Sequence, residues 1–399
     1  MPEVAALSIR GLRRQLLGDL DKLRDPAGYL RAGWPRYNTL FGRDSLISAW
    51  QTLGIDPSIA RATLLVLAKY QGESNDDVSE EQPGKILHEY RFERAAQAEL
   101  PGWKFPYYGS VDSTPLFLIV ASAYITRTGD RELLSNLWPA IGRAHDWMME
   151  FGDLDGDGFI EYRSRNPAAL FHQGWKDGSD DHLRISPPVA MVEVQGYAVM
   201  AHRGFAELAE RSGEKDEADR ARELADGLQS ALIRAFWWAE AGTFYLALDG
   251  KKRPRAAVTS NPGHLLVTGA LERPIARSVV DRLFRTDMWT PYGIRTHASS
   301  EPDFNPYGYH TGTVWPHDNW MIYKGLQTSG FRREAGRIRE ALLNARDALG
   351  KIPELYSVVD DSIVDLSVSP RGRTQSNPVQ AWASAGLLEM IASADEASL

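Results

Sequence analysis

Residues 113–148 read STPLFLIVASAYITRTGDRELLSNLWPAIGRAHDWM. Ser113-Thr114-Pro115 opens a helix, with the proline in the first turn, where a missing N–H is tolerated. Gly129 ends that helix and Asp130 starts another, in which Leu133, Leu137, Ile141, Ala144 and Met148 recur at spacings of three and four. The unit is a helical hairpin, and it recurs in both directions. Towards the N-terminus, Leu7 to Leu23 is helical and ends before Asp25-Pro26. Asp44 or Ser45 caps a helix carrying Leu46, Ile47, Trp50 and Leu53, and Asp56-Pro57 starts the next, which stops at Gly72. Towards the C-terminus, one helix runs through Val192, Val199, Phe205 and Leu208, and another through Ala221, Leu224, Leu228 and Leu232. Further helices are expected over 262–268, 274–284, 314–327, 332–348 and 379–391. Phe244, Leu246 and Leu248 alternate before Asp249-Gly250, which predicts a small β-hairpin. Residues 73–109 have no sustained period, but Tyr90, Phe92, Trp103, Phe105, Tyr107 and Tyr108 argue for an ordered, functional stretch. Paired helices, each pair followed by a loop rich in Gly, Pro and aromatics, predict one all-α toroid over residues 1–399. Its rim loops would form the site.

The totals narrow the function. A chain of 399 residues exceeds the usual single domain, but a closed repeat architecture holds it as one. A net charge of −8, with no basic cluster longer than Lys251-Lys252-Arg253, argues against a nucleic-acid partner. Cysteine is absent, which removes disulfides, thiolate zinc sites and cysteine nucleophiles. The N-terminus carries Glu3 and no signal-peptide pattern, and the longest apolar run, Leu116 to Ile125, is too short to span a bilayer. These features predict a cytoplasmic protein without a membrane partner. Its 12 Trp and 15 Tyr in an acidic chain lean towards a carbohydrate substrate. Oligomeric state is not legible.

The loop Gln173-Gly174-Trp175-Lys176-Asp177 offers a flat apolar wall beside a carboxyl group. Trp175 can stack a sugar ring, and an apolar neighbour raises a carboxyl pKa, as a general acid near neutral pH requires. Arg43-Asp44, at a helix entrance, joins a planar fork of donors to an acceptor and suits vicinal sugar hydroxyls. Glu354, between a helix ending at Gly350 and an acidic loop, is a candidate base, expected to stay ionised in a wetter, hydrogen-bonded setting than the acid. Tyr309 to Asp318 gathers aromatics, imidazoles and a carboxylate. His310 and His317 are seven apart, no standard zinc spacing, so they read as pocket lining. Asp153, Asp155 and Asp157 match the first half of a calcium loop, but Ser164 stands where a bidentate Glu is expected. The alternatives there are a weak structural calcium site aided by Glu161 and an Asx-type turn. Asp360, Asp361 and Asp365 read as a solvated face rather than a magnesium–diphosphate cluster. No glycine loop suited to nucleotide phosphates is present.

Several blocks together resemble bacterial amylo-α-1,6-glucosidases of the glycogen-debranching type. They are Phe41-Gly42-Arg43-Asp44-Ser45, Pro83-Gly84-Lys85-Ile86-Leu87-His88-Glu89, Tyr108-Gly109-Ser110-Val111-Asp112, the Gln173 to Asp177 loop, Tyr309 to Asp318, Pro353-Glu354-Leu355 and Gln380-Ala381-Trp382-Ala383. The resemblance implies an (α/α)6 barrel related to glucoamylase that hydrolyses terminal α-glucosides with inversion and no required cofactor or catalytic metal. It makes Asp177 the general acid and Glu354 the general base, with Arg43 and Asp44 holding the non-reducing sugar. Trp175, His310, Trp315 and Trp382 match pocket-lining positions. Tyr37, Phe41, His88, Glu89, Lys176 and Gln380 complete the expected substrate-binding set. Two features depart from the family. About 35 residues precede the first block where relatives carry a β-rich domain, and the loop from Tyr356 to Asp361 lacks a Phe-Cys-Gly-like continuation. The expected activity is an inverting, exo-acting α-glucosidase of short or small-aglycone substrates. The alternatives are glycogen or maltodextrin debranching, hydrolysis of a small glucosylated compatible solute of the glucosylglycerate kind, a non-catalytic sugar-binding barrel, and, more remotely, a diphosphate cyclase.

Overall fold

Helices of two compositions alternate along the chain, and burial sorts them into two rings. The computed structural model describes residues 2–396. In chain order the helices are α1 (Pro2–Leu23), α2 (Gly42–Thr52), α3 (Pro57–Lys69), α4 (Arg94–Gln97), α5 (Ser113–Thr128), α6 (Arg131–Glu150), α7 (Val192–Ser212) and α8 (Lys215–Phe236). A 3-10 helix (Asn261–Val267), α9 (Arg273–Leu283), α10 (Pro316–Thr328), α11 (Arg332–Leu349) and α12 (Ala381–Glu396) follow. In α5 every residue from Ser113 to Ser122 is buried, so this helix lies inside, as an all-round apolar helix must. In α6 a single stripe is buried, including Leu133, Leu137, Ile141, Ala144 and Met148, and that stripe covers α5 from outside. Gly129 ends α5 at φ 69°, a left-handed turn that a side chain would strain. The Asp130 carboxylate then accepts the Leu133 N–H at 2.9 Å and caps α6.

The inner–outer alternation repeats around a ring. The inner members are α2, α5, α7, the 3-10 helix, α10 and α12. Each contacts the next in that order, and α12 returns to α2. The outer members α1, α3, α6, α8, α9 and α11 lie against them. Six hairpins thus close an (α/α)6 barrel, the expected toroid. Closure is sealed by backbone, because Gly33–Trp34 and Val379–Gln380 pair antiparallel with Gly33 opposite Gln380. The fourth inner member is a 3-10 helix rather than the α-helix implied for 262–268.

The Asp249-Gly250 turn does join a hairpin, between Ala247–Leu248 and Pro254–Arg255, with Ala190–Met191 as a third strand. Asp360 and Asp361, at φ 45° and 56°, turn the hairpin between Ser357–Val359 and Ser362–Val364. That acidic run is a turn. Residues 73–109 hold only the short strand Glu89–Tyr90 and α4.

The entrance to α2 corrects one expectation. Neither Asp44 nor Ser45 caps the helix: its first flanking residue is Phe41, with no side-chain cap. Ser45 Oγ donates to the Leu30 carbonyl at 2.7 Å. Gly42 begins the helix because its N–H donates to the His88 carbonyl at 2.9 Å, and a Cβ there would lie 2.0 Å from the Leu87 carbonyl oxygen.

Gly42→Ala should therefore destabilise the protein by about 1–3 kcal/mol, as overpacking against fixed backbone does, outweighing the ~1 kcal/mol helix-propensity gain. Urea unfolding would measure it, and an unchanged midpoint would mean that the Leu87 segment can retreat.

Candidate active site

A cleft of about 550 Å³ opens at the rim where the chain enters α2, α10 and α12. Tyr37, Phe41, Arg43 and Asp44 line it from the α2 side, His88 and Glu89 from the aromatic-rich stretch, and Trp175 and Asp177 from the loop before α7. His310, Trp315, Glu354 and Trp382 complete the wall. Two expected residues stand elsewhere. Lys176 points away from the cleft: its ammonium donates to the Thr296 carbonyl at 2.6 Å, 5.1 Å from the Trp175 ring centre, and pins the loop from behind. Gln380 also lies behind the wall, donating to Asp44 Oδ1 at 3.0 Å, and so orients Asp44.

Arg43 is buried and its donors are largely engaged. Its Nε donates to Asp112 at 2.8 Å, one terminal nitrogen to Asp177 Oδ2 at 2.9 Å, and the other to the Gly174 carbonyl at 2.8 Å. It sets the Asp177 carboxylate in place instead of offering a free fork to a ligand. Asp177 keeps 25% of its side chain exposed towards the cleft. Partial burial pushes its pKa up to about 6 against the pull of Arg43.

Glu354 is more enclosed, at 2% exposure. Tyr309 donates its hydroxyl to one oxygen, and the Asn377 N–H donates to the other at 2.8 Å. Both bonds favour the anion, yet burial still raises the pKa to about 7. The expectation of a wetter setting for Glu354 fails, because the segments at 309 and 377 close over it. Asp44, also buried, is pushed up to about 8 by desolvation, aided by the negative charges of Asp177 and Glu354. The neutral forms of His88 and His310 are favoured by burial.

Four buried polar atoms of the lining residues have no protein partner: Trp175 Nε1, Trp382 Nε1, His88 Nδ1 and His310 Nε2. Such atoms on aromatic walls can meet the hydroxyls of one sugar ring, whose apolar faces the rings cover. Trp315 Nε1 is already satisfied by the Tyr309 carbonyl at 2.8 Å. His317 lies behind, stacked 3.8 Å from Trp382.

Several contributors escaped the sequence reading. Tyr309 and Asn377 hold Glu354 and Asp112 anchors the Arg43 that holds Asp177, while Arg36, Arg91 and Trp103 line the outer cleft. Asp112 and Tyr309 lie inside quoted blocks, so proximity to a motif was the available signal. Arg36 and Asn377 had none. In the acidic turn, Asp153 accepts the N–H groups of Gly156, Asp157 and Gly158. The Lys252 ammonium lies 2.9 Å from Asp155 and 2.6 Å from both Asp157 and Glu161. A calcium ion there would have to displace that ammonium. Among the described residues no helix is long and apolar enough to cross a membrane.

The mannosylglycerate hydrolase MGH1-like glycoside hydrolase domain family matches residues 37–362. A mannosylglycerate hydrolase of Rubrobacter radiotolerans is 31% identical over 150 residues, covering 36% of this chain and 33% of that protein. The crystal structure of a GH63 mannosylglycerate hydrolase from Thermus thermophilus in complex with Tris superposes with a TM-score of 0.69 at 17% identity. It covers 96% of this chain and 100% of that one. The same enzyme in complex with glucose gives 0.71 at 18% identity, over 95% and 99% of the two chains. These structures share the fold.

The raised pKa of Asp44 makes a stability prediction. Its proton is held in the folded state after the unfolded chain has released it near the ordinary carboxylate value of about 4. Its stabilising contribution is therefore full below that value and lost as pH rises through about 8. Asp44→Asn removes this titration and keeps an acceptor for Gln380. Between about pH 5 and pH 8.5 the wild-type unfolding free energy, measured by urea, should fall further than that of the variant, by an amount on the order of 1 kcal/mol or more. Parallel curves would show that Asp44 ionises normally.

Proposed function

The chain belongs to the mannosylglycerate hydrolase MGH1-like family of glycoside hydrolase domains, and from that premise we propose that it hydrolyses an α-glycoside of a small hydroxy acid, of the mannosylglycerate kind, with inversion. The observation that carries the chemistry is the pair Asp177 and Glu354, from distant segments, facing one sugar-sized cleft with raised pKa values. Asp177 donates a proton to the glycosidic oxygen as the bond to the anomeric carbon breaks. Glu354 takes a proton from the water that forms the new bond on the opposite face. One proton leaves the acid and one reaches the base, so the balance is that of hydrolysis. Inversion requires space for the water, which places such carboxyls roughly 6.5–9.5 Å apart. The charge on Glu354 favours the positive charge that develops at the ring.

The aglycone is read from the outer cleft. Arg36 and Arg91 line it. Arg91 is paired with Glu89 at 2.5 Å and Glu99 at 2.9 Å, whereas Arg36 has no carboxylate partner among the described residues. A carboxylate-bearing aglycone suits such a cation better than a neutral sugar does. Leu100 and Trp103 narrow the entrance, which favours a small aglycone and an exo-acting enzyme over a polymer debrancher. The whole chain acts as one catalytic unit in this reading. An α-glucosidase of disaccharides shares the mechanism and differs in this outer subsite and, against a mannoside, in recognition of the C2 hydroxyl.

With mannosylglycerate, glucosylglycerate, maltose and isomaltose as substrates, kcat/KM should favour the glycerates. Preference for maltose or isomaltose would return the assignment to an α-glucosidase. Proton NMR of the first product from an α-mannoside should show β-mannose, and initial α-mannose would end the inverting scheme. Asp177→Asn should lower kcat by about 10²–10⁴-fold on natural glycosides and far less on a glycosyl fluoride, while Glu354→Gln should impair both. Equal losses on both substrates with Asp177→Asn would remove it from the acid role.

A further inference from the structure

A second cavity, of about 410 Å³, shares no lining residue with the catalytic cleft. Its size is within the range of small-molecule sites. Gln173, at the base of the loop that carries Asp177, forms part of its wall. Three features inside it point to a ligand. Lys85 is only 6% exposed, lines the cavity with its ammonium 5.7 Å from the Trp147 ring centre, and makes a single hydrogen bond, 3.3 Å to the Glu80 carbonyl, though an ammonium has three donors. Glu161, whose side chain is fully buried, gives one oxygen to Lys252 and leaves the other, Oε2, without a partner. Arg163 stands exposed at the mouth, with no ion-pair partner among the described residues.

The other charges are already engaged. The Glu80 carboxylate accepts from Ser164 at 3.1 Å, the Arg165 N–H at 3.1 Å and Gln173 at 2.7 Å, and Arg165 pairs with Asp77 at 3.0 Å. The unmet needs of the cavity are an anion for Lys85 and a hydroxyl donor for Glu161. Burial lowers the Lys85 pKa to about 8, which still leaves the ammonium dominant at neutral pH.

We propose that this cavity is a second, non-catalytic binding site for a small polyhydroxylated carboxylate such as a sugar acid. Its carboxylate pairs with the buried ammonium of Lys85, and a hydroxyl donates to Glu161 Oε2. A bare phosphate would place its charge against Glu81, Asp155 and Glu161 without a hydroxyl to offer them. A neutral polyol would leave Lys85 without its counter-charge. The inference stands apart from the reading of the catalytic cleft, because it uses none of that cleft's residues.

Isothermal titration with D-gluconate tests it, with sorbitol and acetate as the polyol and carboxylate controls. Gluconate should bind the wild-type protein, and each control should bind at least about tenfold more weakly, the worth of one charge-assisted hydrogen bond. Lys85→Met should remove the binding, and Arg163→Glu, a surface change that leaves the core intact, should weaken it. Asp44→Ala, in the catalytic cleft, should leave it unchanged. Turnover of the preferred glycoside by Lys85→Met in the absence of gluconate should match wild type and shows that the variant is folded. Absence of gluconate binding to wild type, loss of it with Asp44→Ala, or its persistence in Arg163→Glu at wild-type strength would each overturn the site. Equal binding of sorbitol or acetate would overturn the ligand class.

Discussion

The guanidinium of Arg43 is the interaction on which the cleft depends. It leaves the first turn of α2, meets Asp112 at the start of α5, and reaches the 174–177 loop through Gly174 and Asp177. Three segments far apart in sequence are thereby locked at one rim. Lysine could not replace it, since a point charge cannot serve three acceptors in fixed planar directions. The cation also lets so many carboxylates share a buried space. Removing one partner of such a pair typically costs about 3–5 kcal/mol, because the other is left buried and unpaired.

The protonation order in the unliganded cleft follows from unequal burial. Asp177 has Arg43 and some solvent and sits at about 6; Glu354 has Tyr309 and Asn377 but almost no solvent, and sits at about 7. The proposed roles need the proton on Asp177 and the charge on Glu354, the reverse of that order. A bound sugar acts on the two unequally. It displaces the solvent that reaches Asp177, which raises that pKa, whereas Glu354 has almost no solvent left to lose and keeps both donors to its anion. In the proposed mechanism, substrate binding would therefore favour the productive form.

How much of this was legible depends on the range of the interaction. The α5–α6 hairpin could be read because Gly129 and Asp130 act locally, through a left-handed turn and a cap. Asp177, Glu354 and the aromatic walls could be read because their motifs are contiguous. Arg43 was found, but its bond to Asp112 was not, since that partner is 69 residues away. Lys176 was assigned to the cleft because it adjoins Trp175 and Asp177. Its ammonium instead bonds Thr296, 120 residues further on. The solvation of Glu354 was misjudged for the same reason, as Tyr309 and Asn377 arrive from other hairpins. Local chemistry survives in sequence; solvation and partner choice are set by closure of the ring.

Ring closure also bears on the choice between small and polymeric substrates. The inner helices begin at one rim, so whatever fills the loops between hairpins decides what can approach Asp177. Here the stretch after Tyr90 fills that space and is firmly tied down. Trp103 Nε1 donates to the Ala168 carbonyl at 3.0 Å, Asn166 donates to the Gly102 carbonyl at 2.9 Å, and Arg91 holds Glu99 at 2.9 Å. A wall anchored by side-chain bonds at three points cannot swing aside for a branched chain without breaking them, each worth about 0.5–1.5 kcal/mol or more where charged. The same residues that order the longest irregular stretch of the chain thus favour the small aglycone of the proposed reaction, a preference that the family resemblance alone would not have suggested.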